Sequence, residues 1–360
     1  MDPIYNYSLC AALPLMLFFG FYFLLGRTPE KAIFENYLRS RRIMGAAMLL
    51  LAANYSVHFF MKVRFNDADA AILMNLSTYF LCYWLFSSAL TTLLDRNYIT
   101  RRRLLAHMSL WVLFSASSCI VLKLLPEGTA QTVAILALAV WLVVYGLFLT
   151  WRLLRTYHRV IRIFNETHAD DIGAYIKWLS VFTYWAVIFG VGCGLLTFLP
   201  DQYVYIWILM SIPFYIYLFL CYLNYMLFYE QVENAMEVNE ELDHFEAGPM
   251  QETPSYHAEI ASWINADGYV RTGLTIKGLS DQLHTNRTYL SEFINATYGV
   301  SFRDWITGLR IEYAKRLLVQ YPKLTLADIS ERSGFLSPSH FIRIFKENAG
   351  CTPARWRKSS

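Results

Sequence analysis

The residues best suited to do chemistry lie near the C-terminus, on two short amphipathic stretches of similar design. In each stretch, apolar side chains recur at helical spacing and polar or basic side chains occupy the opposite face. In the second stretch the apolar face consists of Phe341, Ile344 and Phe345. The opposite face offers the hydrogen-bond donors, acceptors and positive charge that a helix needs to read base edges in a DNA major groove. The polar-face residues are Asn286, Arg287, Thr288, Ser291, Glu292 and Asn295 in the first stretch, and Ser337, Ser339, His340, Arg343 and Lys346 in the second.

Each polar-faced stretch follows a shorter amphipathic segment and a tight turn, which is the order of elements in a helix-turn-helix. Thr325 is placed to cap the start of the second unit, and Gly299 to close the last helix of the first unit. His284 stands where the second unit has Gly334, so the sequence leaves the geometry of the first turn open. The apolar spacing predicts helices over residues 257–265, 275–283, 286–298, 302–320, 326–333 and 337–349, and a last one after Pro353.

Five runs in this region carry a family signature, namely Leu290–Asn295, Arg310–Lys315, Ala327–Phe335, Ser337–Lys346 and Gly350–Arg357. Together they resemble the AraC/XylS transcription regulators, and the resemblance covers roughly residues 255–358. It implies one domain that presents two recognition helices, joined by a long middle helix, to successive major grooves on one face of DNA. Matched position by position with that family, Thr288, Ser291, Glu292, Ser339 and Arg343 fall where base-reading residues lie.

Two alternatives stay open for this region. Glu292 is suited either to accept a hydrogen bond from a cytosine amino group or to act as a solvated or arginine-paired carboxylate. The region as a whole is either a DNA-binding domain or a helical module for protein interactions.

The rest of the chain is strongly apolar. Hydrophobic residues make up 56 % of the 360 residues and charged residues only 16 %, which exceeds the usual apolar share of a soluble protein. Residues 1–228 hold 17 basic and 11 acidic groups, residues 229–252 hold 0 and 8, and residues 253–360 hold 14 and 9. A helix needs about 20 apolar residues to cross the hydrocarbon core of a membrane. Seven such runs are present, at about residues 5–25, 44–61, 70–93, 104–125, 132–154, 178–199 and 203–228.

Basic residues concentrate in alternate connections of this apolar block. Thirteen lysines and arginines lie between runs 1 and 2, 3 and 4, and 5 and 6, against three on the opposite side, namely Lys62 and Arg64 between runs 2 and 3 and Lys123 near the end of run 4. Because such residues are retained on the cytoplasmic side, we expect the N-terminus outside and residues 255–360 in the cytoplasm. Since the family that the C-terminal region resembles is bacterial, the predicted location is the bacterial inner membrane, with several crossings.

Polar residues within the apolar runs are few. Asn54, His58 and Tyr79 are candidate ligand contacts, with interhelical hydrogen bonding as the alternative. Pro213 is either a hinge or a static kink in the last run. The polar cluster at residues 168–171 is expected to be a solvated loop and not a metal site, because neither a fourth ligand nor a helical spacing supports one. No set of nucleophile, base or metal ligands indicates an enzyme, and neither a cofactor nor a metal is expected.

Two segments flank the apolar runs. Residues 156–164 mix apolar side chains with arginines and are expected to lie on the inner leaflet as an amphipathic helix. Residues 228–245 are acidic, with apolar positions at alternating spacings of four and three. This second segment is either a dimer-forming signalling helix or a single solvated helix that continues out of the last run.

The predicted fold is therefore all-α, with a polytopic seven-helix transmembrane bundle (1–228), an acidic linker helix (229–254) and a cytoplasmic AraC-type double helix-turn-helix domain (255–360). The predicted function is a membrane-bound one-component transcription regulator that senses a signal through the bundle and binds promoter DNA. The alternatives are a transporter or receptor-like protein with an attached autoregulatory DNA-binding domain, and a bundle that only anchors the domain. The expected partners are double-stranded promoter DNA, the lipid bilayer and a small-molecule or membrane signal, with RNA polymerase and a second copy bound through 228–245 as further candidates.

Overall fold

The structure is a computed structural model that describes residues 3–170, 173–196, 198, 201–243 and 256–359. Over these residues the chain forms α-helices and short 3-10 helices, and its extended pairing is an isolated antiparallel bridge between His168 and Thr275. Two compact units are formed, the first by residues 1–160 and 176–230 and the second by residues 161–175 and 231–360.

The first unit is a bundle of long helices. Helix α1 packs on α2, α2 on α4, and α4 on α5. The aromatic ring of Tyr145 in α6 stacks on Phe80 in α4 with 4.1 Å between centroids, and Phe182 in α7 stacks on Phe214 in α8 at 4.7 Å. The helices that form it are α1 (Pro3–Leu25), α2 (Glu35–Met61), the short α3 (Val63–Asn66), α4 (Ala68–Thr92), α5 (Arg101–Leu124), α6 (Thr129–Thr167), α7 (Gly173–Leu196) and α8 (Asp201–Asp243). The end of α6, the start of α7 and the end of α8 belong to the second unit.

Six of these helices, α1, α2, α4, α5, α6 and α8, are long and apolar enough to cross a membrane by length and composition, counted over the described residues. They coincide with six of the seven predicted runs. The remaining run, 178–199, falls on α7 and on positions 197 and 199, which lie outside the described residues. The bundle leaves large apolar side chains exposed, including Phe18, Val112, Val140 and Leu220.

Two helices extend beyond the predicted runs. Helix α2 begins at Glu35 instead of residue 44, so Arg39, Arg41 and Arg42 lie in the helix and not in a loop. Nothing between Glu35 and residue 44 breaks a helix, and the buried Arg41 side chain donates to the carbonyls of Gly26 and Arg27.

Residues 156–164 do not form a separate amphipathic helix, because α6 continues through them without interruption to Thr167. The prediction of a distinct element was wrong, since neither glycine nor proline occurs between residues 147 and 167. Helix α8 likewise runs unbroken across Pro213 into the acidic segment. The single continuous helix is thus confirmed as far as Asp243, whereas pairing with a second copy stays a prediction.

The second unit contains the seven helices expected from the C-terminal sequence. They are α9 (Tyr256–Asn265), α10 (Ile276–Gln282), α11 (Arg287–Tyr298), α12 (Phe302–Gln320), α13 (Leu326–Arg332), α14 (Pro338–Ala349) and α15 (Pro353–Ser359). Their bounds agree with the predicted ones to within two residues. The long helix α12 contributes to two apolar clusters, packing Trp305 and Ile306 with α10 and α11, and Leu318 with α13 and α14. The second unit therefore consists of two helix-turn-helix halves built on one shared helix.

Candidate nucleic-acid interface

The first helix-turn-helix consists of α10 and α11. Asn286 caps α11 by accepting a hydrogen bond from the Tyr289 amide at 2.9 Å, and Gly299 closes the helix in a left-handed conformation with φ 68°. Leu290 and Ile294 are buried against α12, as the apolar spacing predicted. This packing turns the opposite face of α11 away from the domain core.

The second helix-turn-helix, α13 and α14, repeats the design. Thr325 and Asp328 form a reciprocal capping box at the start of α13, which lowers the pKa of the Asp328 carboxyl because Thr325 donates to it. Phe341 and Phe345 are fully buried, so Arg343 and Lys346 on the opposite face of α14 are exposed. Both halves therefore present a polar helix face outward.

The two turns have the same backbone geometry although their residues differ. In the second turn Gly334 has φ 79° and its amide donates to the Glu331 carbonyl at 2.9 Å. In the first turn His284 has φ 51° and its amide donates to the Asp281 carbonyl at 3.3 Å. The question that the sequence left open is thereby answered, since histidine adopts the left-handed conformation that glycine adopts more easily.

We expect His284→Gly to stabilise the second unit. The substitution relieves a left-handed strain of ~1–2 kcal/mol, which exceeds the ~0.5–1 kcal/mol that glycine loses through its more flexible unfolded state. His284 is exposed, so little packing is lost. The full chain in detergent is heated, and unfolding of its C-terminal region is monitored by its susceptibility to proteolysis. The midpoint temperature of unfolding should rise slightly. A fall in midpoint would mean that the imidazole makes a stabilising contact.

The predicted DNA-contacting residues are not all equally available. Ser337 caps α14 by accepting from the His340 amide at 3.3 Å, and the His340 ring lies 6.0 Å from that of Phe335. These two side chains therefore have structural partners within the domain. Arg343 makes a salt bridge of 3.4 Å to Glu347 on the helix surface, a contact that costs little to exchange. The exposed candidates are Thr288, Glu292, Asn295, Ser339, Arg343 and Lys346, while Arg287 and Ser291 are partly buried.

The prediction from sequence missed Arg310, a fully buried cation of α12. Its Nε donates to the Tyr269 carbonyl at 2.8 Å and its Nη2 donates to the Arg271 carbonyl at 2.7 Å. Nη1 lies 2.8 Å from Asp170 Oδ1, and both side chains are less than one-tenth exposed. The sequence did contain an indication that Arg310 is buried. Arg310 stands four residues after Ile306 and four before Ala314, both of them buried, so helical spacing places it on the same face of α12.

The polar cluster at residues 168–171 is not a solvated loop. His168, Ala169 and Asp170 are all less than one-tenth exposed, whereas Asp171 lies outside the described residues. Burial lowers the pKa of His168 to about 4, only partly opposed by the charge of Asp170, so the imidazole is neutral at physiological pH. The prediction was wrong because these residues bind a distant part of the chain, which local polarity does not reveal. Among the described residues, no group of three or more His, Cys, Asp or Glu side chains is arranged to hold a metal ion.

The three candidate ligand contacts of the first unit fall into two places. Asn54 Nδ2 donates to Asn75 Oδ1 at 3.2 Å, and His58 Nε2 lies 2.8 Å from the same oxygen. These contacts join α2 to α4, as the interhelical alternative expected. Tyr79 instead lines a separate, mostly apolar cavity between α2, α4, α6, α7 and α8, together with Ser87 and Thr183. The structure therefore brings Asn54 and His58 together but places Tyr79 elsewhere, and a ligand role for the three stays a prediction.

A family model described as "Helix-turn-helix domain" matches residues 279–359. The chain is 39 % identical over 71 residues to the HTH-type transcriptional regulator ExsA of Pseudomonas aeruginosa, which is 20 % of this chain and 25 % of that protein. It is also 39 % identical over 70 residues to the virulence regulon transcriptional activator VirF of Yersinia enterocolitica, which is 19 % of this chain and 26 % of that protein. The chain thus spans about a quarter of the length of these curated relatives.

A third relative is described as an enzyme as well as a regulator. The chain is 31 % identical over 87 residues, 24 % of this chain and 41 % of that protein, to a Bacillus subtilis protein described as "Bifunctional transcriptional activator/DNA repair enzyme AdaA". The absence of enzymatic activity in this chain therefore stays a prediction.

Among solved structures, the chain is similar to the C-terminal domain of AraT, a response regulator from Geobacillus stearothermophilus. The identity is 25 %, the match covers 31 % of this chain and 89 % of that one, and the TM-score is 0.28. The matched family model and the regulators related to this region lead to one conclusion. The C-terminal part of this chain is an AraC-type helix-turn-helix domain, with relatives among the AraC-family transcription regulators.

Proposed function

We propose that this protein is a membrane-embedded transcription regulator in which the helical bundle senses a signal and the C-terminal domain binds promoter DNA. The observation that carries this proposal is the presence, in one chain, of a double helix-turn-helix domain and a bundle of long apolar helices. Neither part alone supports the combined function.

The apolar surface of the bundle supports a place in the membrane. In the most apolar 18-residue stretch of α5 only 17 % is buried within the protein, and in the corresponding stretch of α6 only 33 %. Soluble proteins rarely expose contiguous apolar patches larger than a few hundred Å². Lipid chains would cover these apolar faces without the free-energy cost of exposing them to water, so a bilayer is a suitable environment for the bundle.

The distribution of basic residues supports the orientation. Thirteen basic residues at one set of ends of the apolar runs, against three at the other, favour an outside N-terminus and a C-terminal domain in the cytoplasm, where DNA is. Because the relatives of the domain include bacterial regulators, we place the protein in the bacterial inner membrane. Double-stranded promoter DNA and the bilayer are then its partners, and RNA polymerase is a further one at the promoter.

The cavity around Tyr79 is a place where the bundle could receive its signal. Its walls are mainly apolar, and Tyr79, Ser87 and Thr183 add a few hydroxyl groups. Ligand sites of this kind take small, mostly apolar molecules and orient them through a few polar contacts. The signal that fits this cavity is therefore an apolar small molecule or a membrane constituent.

Two substitutions on α14 test the DNA-binding role. The DNA sites are first selected from genomic fragments by the full chain in detergent. We expect Arg343→Ala to remove a base contact worth ~1–3 kcal/mol, which lowers affinity for selected sites by about 5- to 150-fold with little effect on random DNA. Lys346→Ala should lower affinity for selected and random DNA by similar factors, because it removes a phosphate contact. It should also reduce by about 1 the slope of the logarithm of affinity against the logarithm of salt concentration.

Lys323→Ala is the matched control, since Lys323 is exposed on the loop after α12 and lies on neither recognition helix. It should change neither affinity nor footprint. Equal losses on selected and random DNA for Arg343→Ala and Lys346→Ala would contradict the two roles. Retention of full affinity by both variants would contradict DNA binding through α14.

A further inference from the structure

The segment 161–170 is built into the DNA-binding unit although about ninety residues separate it from that domain in the sequence. His168 forms an antiparallel bridge with Thr275, and the Ala169 amide donates to the Leu274 carbonyl at 3.0 Å. The Ala169 side chain is 3 % exposed and belongs to the same apolar cluster as Leu274 and Trp305. The segment therefore packs as part of the core of the first helix-turn-helix half.

The charge of Arg310 is balanced by this segment. Asp170 places Oδ1 at 2.8 Å from Arg310 Nη1, and its Oδ2 accepts from the Gly273 amide, also at 2.8 Å. Both side chains are removed from water. A cation buried in α12 thus has its carboxylate partner on the connection between α6 and α7, and separating them costs free energy that binding to DNA has to supply.

The same segment lies beside the recognition helix α11. Asn165 Oδ1 accepts from Arg303 Nη1 at 2.7 Å, which fixes the end of α6 to the start of α12. Beyond this contact, Glu166 and Thr167 form one wall of a cleft of about 160 Å³. The cleft is also lined by Arg287, Thr288, Ser291 and Glu292, four of the residues that α11 would offer to DNA.

This arrangement competes with DNA for one surface. A B-DNA major groove is ~12 Å wide, and a helix with its side chains has a diameter of ~10–12 Å, so a recognition helix fills the groove. Glu166 and Thr167 line the same cleft as Arg287 and Ser291, both partly buried, so a groove that received α11 in this arrangement would meet the segment. Glu166 would also bring a negative charge toward the phosphates.

We propose that residues 161–170 are an autoinhibitory segment, which docks on the DNA-binding domain through Ala169 and Asp170 and keeps α11 off DNA. The proposal rests on the DNA-binding function proposed above. Helix α14 does not line the cleft, so the second helix-turn-helix stays available while the segment is docked. The docked protein then binds DNA through one half of the domain, and undocking adds the other half.

The position of the segment in the chain connects it to the bundle. It continues α6 and leads into α7, so the protein can respond to a signal by changing how strongly these helices hold it in the docked position. A signal can shift the docked equilibrium only by its differential affinity for the two states. The docked and undocked positions of the segment are thus the two states between which a one-chain sensor can switch.

The test uses the full chain in detergent and two variants that weaken docking at different places, Asp170→Asn and Asn165→Ala. We expect each to raise affinity for selected DNA by about tenfold or more and to extend the footprint by about one helical turn, ~10 bp. Glu331→Gln is the control, because it removes an exposed acidic charge from the same domain and leaves the segment untouched. It should give a much smaller increase and no longer footprint.

The direction of the effect separates inhibition from support. If the segment only stabilised the domain, Asp170→Asn and Asn165→Ala would lower DNA affinity, and the footprint would either keep its length or disappear. Either result would overturn the proposal. Hydrogen exchange on the unmodified chain gives a second readout, independent of how the variants fold. Addition of DNA at saturation should speed exchange of the Ala169 amide, and unchanged or slower exchange would contradict undocking. Failure of every form to bind DNA would instead overturn the proposed function itself.

Discussion

Gly334→Ala is expected to unfold much of the AraC-type domain, with a loss of ~3 kcal/mol or more in the free energy of unfolding. Two effects add at this position. Gly334 has φ 79°, a conformation that costs alanine ~1–2 kcal/mol. A Cβ there would also lie 2.3 Å from the Val270 carbonyl oxygen and 3.0 Å from Arg310 Nε. The close atom is backbone, so the turn and the segment around Val270 must separate.

Gly350→Ala is the matched control for the steric part of this effect. Gly350 has φ 73°, but a Cβ there would meet no atom within 4 Å. It should cost only the conformational ~1–2 kcal/mol. Resistance of the C-terminal region to proteolysis, measured against temperature in the full chain, distinguishes the two variants. Equal loss in both would mean that the contact with Val270 yields without cost, contrary to the close packing between the two halves of the domain.

The sequence predicted the helix-turn-helix domain well because its signals are local. Each helix has an apolar face at helical spacing, and Asn286, Thr325 and Ser337 all cap helices in the structure as short polar residues do. Gly299 and Gly350 end helices in the left-handed conformation. Such signals need only a few neighbouring residues, so helix bounds follow from the sequence.

The docked segment could not be predicted for the opposite reason. Asp170 meets Gly273 and Arg310, which lie 103 and 140 residues away in the sequence. A run of polar residues after a helix has the same local appearance whether it faces water or a buried arginine. Burial of the charge on Arg310 becomes favourable only when Asp170 is present, so neither residue alone indicates the contact.

In the bundle, sequence predicted the apolar runs but not where the helices end. Apolar content marks what can lie in lipid, whereas a helix continues until its hydrogen bonds are broken or capped. Helices α2 and α6 therefore extend past their apolar runs through arginine-containing turns. Tyr79 and His58 show a further limit of sequence, because residues of similar polarity lie in a cavity in one case and in an interhelical hydrogen bond in the other.

Topology reporters are expected to give an all-or-none result. We predict that a reporter enzyme active only after export is inactive when fused after Pro254 and active when inserted at Asp201. The first position precedes the DNA-binding domain, and the second is the first residue of α8, directly after residues 197–200, which include no basic residue. The physical reason is the excess of basic residues at alternate ends of the apolar runs, thirteen against three, which we expect to hold the richer ends in the cytoplasm.

The same pair of fusions tests most directly the central claim that one polypeptide spans the bilayer and presents its DNA-binding domain to the cytoplasm. A second reporter, active only in the cytoplasm, should give the opposite pattern at the same two positions, which controls for expression and folding of the fusions. The predicted result is export at Asp201 and retention after Pro254, with both fusion proteins in the membrane fraction. Export of the reporter fused after Pro254, or recovery of the fusions in the soluble fraction, would contradict a membrane-embedded regulator.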